Sequence, residues 1–147
     1  MRRFLRIAVL FACSLPILFG VGCHDNDSPT APRRGDVLIL RSIAPPSGTL
    51  IPRGQSTRFE GVFRYEFATA ARGRLVVLIL ASWRSAFDID VRTLRQLDSP
   101  TGEVSVSVDV AVPATAAGGT LSLTFSIVPE GASERSASAS AHYGVVS

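Results

Sequence analysis

The sequence predicts an all-β protein, built as a single antiparallel sandwich of about seven strands. Three observations carry that prediction. Apolar residues recur at every second position over long stretches, turn-forming residues stand where the alternation stops, and no convincing amphipathic helix intervenes.

The clearest alternation runs through Thr57, Phe59, Gly61, Phe63, Tyr65 and Phe67, with Arg58, Glu60, Arg64 and Glu66 between them. A helix would scatter this set around its circumference, whereas a strand places it on one face. Val104, Val106, Val108, Val110 and Val112 repeat the rule against Ser105, Ser107 and Asp109, as do Leu121, Leu123, Phe125 and Ile127 further on. These are half-buried strands, because β-branched and aromatic residues suit a pleated surface with one wet face. Val37 to Ile43 reads as a first strand, and Leu75 to Trp83 as a strand apolar on both faces. Ile89 to Leu97 alternates less regularly, and Ser85 to Leu97 is the one stretch that could hold a short helix instead. Ala137 to Val145 closes the series by alternating small residues with serine.

Punctuation lies between these segments. Pro45-Pro46-Ser47-Gly48, Ala71-Arg72-Gly73, Ser99-Pro100-Thr101-Gly102, Ala117-Gly118-Gly119 and Pro129-Glu130-Gly131 all carry turn chemistry. Such spacing suits a two-sheet fold of the immunoglobulin-like sort over residues 36–147. That region also resembles the small immunoglobulin-like or fibronectin-III-like modules of bacterial envelope proteins, through Ile43-Ala44-Pro45-Pro46-Ser47-Gly48-Thr49-Leu50 and the strand-loop-strand of Phe59 to Leu80. It departs from antibody domains in lacking a cysteine pair. Trp83 is therefore expected as a core or rim aromatic, not as the partner of an inter-sheet disulfide.

The amino-terminal end has a different character. Arg2, Arg3 and Arg6 precede a run from Ile7 to Phe19 that is apolar apart from Ser14 and Pro16, and Gly20 and Gly22 lead to Cys23. A positive start, an apolar middle and small residues before a cut are the three parts of an export signal. Here the sequence resembles a bacterial lipoprotein, with Gly20-Val21-Gly22-Cys23 standing where that family has its lipobox. Gly20 occupies a place where the family usually has leucine or another aliphatic residue. The resemblance implies cleavage of residues 1–22, a diacylglyceryl group on the Cys23 thiol and acylation of the new amino terminus. Several chains together make a lasting anchor, each buried methylene contributing roughly 0.8 kcal/mol.

Three other readings of the leader stay open. Leu10-Phe11-Ala12-Cys13 is a rival box, Phe4 to Gly22 is about long enough for an uncleaved membrane anchor, and simple cleaved secretion needs no lipid. Each puts the domain outside the cytoplasm. Residues 23–35 then form a flexible tether, polar and carrying Pro29 and Pro32. His24 is not the aspartate that in enterobacterial lipoproteins accompanies retention at the inner membrane, so an outer-membrane destination is expected where the organism has one.

Composition narrows the partners. Formal charge is +3, but three of the fifteen basic residues are Arg2, Arg3 and Arg6. The 12 arginines left after Cys23 equal the 12 carboxylates, so no basic footprint points to nucleic acid. Both cysteines, Cys13 and Cys23, belong to the leader, and stability of the mature domain must come from packing rather than an internal disulfide.

No catalytic or metal-binding constellation emerges. His24, Asp25 and Asp27 are adjacent residues on a tether, which does not preorganise metal ligands. Asp88 and Asp90 share one face of a strand without a third ligand or a glycine-bearing loop. His142, beside Ser136, Ser138 and Ser140, reads as part of a polar strand face, and no Gly-x-Ser-x-Gly elbow occurs. Arg72, Arg74, Arg84, Arg92 and Arg95 are interspersed with Glu66, Asp88, Asp90 and Asp98, a mixed surface more than an anion site. The expectation is a membrane-tethered, extracytoplasmic, non-catalytic binding or adhesion-type module without a cofactor, anchored through its lipid and meeting an envelope protein or glycan. A structural subunit of a larger envelope assembly is the alternative, and an enzyme with a cryptic site a distant third. For a partner strand, the Ala/Ser alternation at residues 136–141 is the expected edge.

Overall fold

The computed structural model describes residues 35–83 and 86–146. Cys23, the tether residues His24, Asp25 and Asp27, and Arg84 lie outside the described residues.

The described residues form eight strands: β1 (Val37–Ala44), β2 (Leu50–Ile51), β3 (Ser56–Glu66), β4 (Gly73–Trp83), β5 (Ala86–Leu97), β6 (Thr101–Ala111), β7 (Thr120–Pro129) and β8 (Ala137–Val145). They form a three-stranded sheet in the order β1-β3-β6 and a five-stranded sheet in the order β2-β8-β7-β4-β5. Most neighbours are antiparallel, as alternation predicts, but β2 runs parallel to β8, with Leu50 opposite Gly144 and Ile51 opposite Val145. An antiparallel-only sandwich is thereby corrected to a mixed one. Two residues are too few to show a period, so β2 leaves no pattern in the sequence.

Burial follows the alternation closely in β3, where Phe59, Phe63 and Tyr65 are inside and Arg58, Glu60 and Arg64 outside. All four alternate apolar residues of β7, Leu121, Leu123, Phe125 and Ile127, are buried. The two sheets meet through aromatic rings. Phe63 of β3 tilts against Phe125 of β7 with centroids 4.7 Å apart, and Phe59 meets Tyr143 of β8 at the same distance. Tilted rings at this spacing add about 0.5–1.5 kcal/mol to the burial itself. Small residues make room beside them: Ala139 stands directly across from Phe125, and Ala141 across from Leu123. This explains the Ala/Ser alternation of β8 as a fit to large neighbours on β7.

Several turns form where expected. Gly48, Gly118 and Gly131 take positive φ, and the Pro129–Gly131 turn closes with Ala132 N donating to Pro129 O at 3.1 Å. Gly73 instead opens β4, and Thr101 and Gly102 already pair with Glu66 and Tyr65 of β3. Where a short helix is the alternative, Ala86–Leu97 is instead the edge strand β5, paired with β4, and Ser85 lies outside the described residues. The connection after Leu97 crosses from the five-stranded sheet to the three-stranded one.

Candidate functional site

The outer face of the five-stranded sheet divides into two halves of opposite chemistry. Over β7 and β8, three facing pairs join their polar side chains: Ser122 to His142 Nδ1 at 3.0 Å, Thr124 to Ser140 at 3.1 Å and Ser126 to Ser138 at 2.8 Å. Each pair stands in strand register, so the hydroxyl ladder follows directly from two serine and threonine alternations meeting. His142 is thus held as a rung of this ladder. Its backbone N–H also donates to Ser47 Oγ at 3.0 Å, and no carboxylate is bonded to its ring among the described residues.

Across β4 the character changes. Phe87, Ile89 and Val91 of β5 are 64%, 67% and 54% exposed, and they face Ser82, Leu80 and Leu78 of β4. Leu78 and Leu80 are themselves only half-buried, so the stripe extends inward from the edge. Scattered exposed apolar residues are ordinary, but three at alternate positions on one edge strand form a patch. The opposite side of β5 carries Asp88, Asp90 and Arg92, which face Ala81, Ile79 and Val77. β5 is therefore amphipathic with its apolar side turned away from the core. The shorter sheet, three strands against five, leaves that inner side uncovered at its margin, and charged residues occupy it.

These charges already have partners. Trp83 Nε1 donates to Asp88 Oδ2 at 2.8 Å, Arg92 Nε to Asp90 Oδ2 at 2.6 Å, and Arg92 Nη1 to the Asp109 carbonyl of β6 at 2.9 Å. Trp83 is buried at the rim, where its ring is covered and its N–H satisfied. Among the described residues no group of three histidines, cysteines or carboxylates is arranged to hold a metal ion. Of the arginine set, Arg72 pairs with Glu130 at 3.0 Å and Arg92 with Asp90, both solvent-exposed. A depression of about 480 Å³ lies on the three-stranded sheet beside Ser42, Arg58, Val62 and Ser107. Arg58 there is bonded to Glu60 and Ser107, so its charge is spent locally.

On β8, β2 pairs only with Gly144 and Val145, beyond the residues 136–141 expected as the edge. Among the described residues, the twelve-residue strand β5 pairs with β4 alone. Sequence reasoning placed Asp88 and Asp90 correctly on one face but passed over Phe87, Ile89 and Val91, which alternate with them. The available sign was apolar and charged alternation with no way to tell which side faces the core.

No family model and no curated protein matches the chain. Among solved structures, the sporulation control protein Spo0M from Bacillus subtilis aligns with 77% of this chain and 49% of its own, at 10% identity and a TM-score of 0.40. An alkylpurine DNA glycosylase, AlkC from Pseudomonas fluorescens, aligns with 77% of this chain and 31% of its own, at 15% identity and a TM-score of 0.46. A glycosyl hydrolase family 2 member from Bacteroides cellulosilyticus aligns with 75% of this chain and 14% of its own, at 8% identity and a TM-score of 0.37. The chain spans less than half the length of each, and the activities named belong to those proteins.

Proposed function

We propose that this protein is a lipid-anchored, extracytoplasmic module of the cell envelope that acts by contact and performs no covalent chemistry. The observation that carries the contact role is the β5 edge, a long strand with one side unpaired among the described residues and an exposed apolar stripe of Phe87, Ile89 and Val91. Support for the location comes from the leader, where Arg2, Arg3 and Arg6 precede an apolar run ending at Cys23. In this reading residues 1–22 are removed, Cys23 carries the acyl chains, residues 23–35 act as tether and residues 36–147 are displayed. The outer membrane is the favoured site in a two-membrane organism, and an envelope protein or glycan the class of partner.

The domain is proposed to be immunoglobulin-like. Supporting this, β4, β7 and β8 lie together in one sheet while β1 and β3 pair in the other, and the amino-terminal edge is split so that β2 joins the second sheet beside β8.

Metabolic labelling with a fatty-acid analogue tests the anchor. The full chain is expected to take the label in its membrane fraction, and a Cys23→Ala variant to lose it. Equal labelling of both, or an unlabelled cytosolic chain with its leader intact, would remove the proposal.

A further inference from the structure

We propose that β5 is a self-pairing edge, and that two copies of this chain join their five-stranded sheets antiparallel about a two-fold axis at Val91. The partner is chosen by charge order. Along the inner side of β5 the sequence is Asp88, Asp90, Arg92, with Leu94 next at the β-bulge that shifts the register against β4. Antiparallel pairing centred on Val91 sets Asp90 opposite the partner's Arg92 and Arg92 opposite the partner's Asp90. Both contacts are attractive, and symmetry makes each occur without a second kind of surface. Moving the centre one residue, to Asp90, sets two like carboxylates face to face.

The outer side fits the same centre. Val91 meets the partner's Val91 and Ile89 meets the partner's Thr93, so residues 54% and 67% exposed in one copy lose water together. Directly opposed residues of an antiparallel pair lie on the same face, so the apolar stripe and the charged row each continue across the junction. Backbone groups on the free side of β5 acquire the partners that an edge strand lacks. Asp90 and Arg92 now bond within one chain, about half-exposed at 48% and 44%, so exchanging that bond for an intermolecular one requires little desolvation. The pairing rests on the contact role proposed for β5, with a second copy of the chain as the envelope partner, and does not depend on acylation, so it stands or falls separately from the anchor.

Charge reversal tests it, using the full chain in detergent with micelles in large excess over protein and sedimentation across a concentration series. Wild-type protein is expected to dimerise. Asp90→Arg alone and Arg92→Asp alone each turn both facing contacts repulsive and should weaken self-association about tenfold or more. Mixed together, these two variants should form a heterodimer near wild-type strength, because each supplies the charge the other lacks. The intramolecular Asp90–Arg92 bond is broken in both, so only complementarity between copies can restore the dimer. Circular dichroism confirms that the exposed substitutions leave the strands intact. A wild-type chain monomeric throughout the series, single variants that dimerise unchanged, or a mixture that fails to associate would each overturn the inference.

Discussion

Gly73 shows how one residue can be fixed by its surroundings without any unusual backbone angle. A Cβ at this position would lie 2.5 Å from both Phe67 Cζ and the Val128 carbonyl oxygen. The second neighbour is backbone of the adjoining strand and cannot step aside. Gly73→Ala is expected to cost about 1–3 kcal/mol, seen as a lower urea midpoint with unchanged slope. Tyr143 is fixed differently, by a buried ring against Phe59 and a hydroxyl that donates to the Pro45 carbonyl at 2.9 Å. Burial raises its phenol above the ordinary 10.0, so the folded state favours the protonated form. That contribution is fully present below pH 10 and is lost as pH rises through the raised folded value. Unfolding midpoints should therefore fall above pH 10, and Tyr143→Phe should flatten the decline while losing roughly 1 kcal/mol for the missing hydrogen bond. With no lysine in the chain, few other groups compete in that window. An undiminished alkaline decline in the phenylalanine variant would refute this assignment.

Among the elements, β4 and β5 are adjacent yet opposite in their dependence on packing. β4 lies between β5 and β7, and Ile79 on its inner face is 3% exposed. Ile89 on β5 is 67% exposed. In dilute, monomeric protein, Ile79→Ala should cost about 2–5 kcal/mol, whereas Ile89→Ala should change stability by less than about 0.5 kcal/mol. Chemical denaturation of the two variants side by side checks the contrast. A large loss at Ile89 would mean that the stripe belongs to the fold of the monomer and not to a surface for contact. Legibility differs in the same way. β3 and β6 are readable because their apolar side faces the core and their polar side faces water, and β7 is readable from its buried apolar set alone, since Ser126 on its other side is buried as well. β5 also alternates, but its charged side is the inner one, an inversion that periodicity cannot express. β8 was readable as a strand, while the reason for its alanines, room for Phe125 and Leu123, needed the facing strand.

At the scale of the whole molecule, the domain holds together through two layers of aromatic and branched side chains. Residues after Cys23 include no cysteine that could add a covalent tie. The sequence alone determined the all-β character and the positions of most strands, because period-two burial and turn chemistry are local properties written into neighbouring residues. It also determined the balanced charge after Cys23 and the expectation of export, which rest on composition and on the order of the leader. Only the tertiary structure decided that β2 joins β8 in parallel, that five strands face three, and that β5 ends as an edge with its apolar side outward. Those outcomes depend on which strands become neighbours and on where the smaller sheet stops covering the larger, and contacts between distant residues leave no period in a single chain.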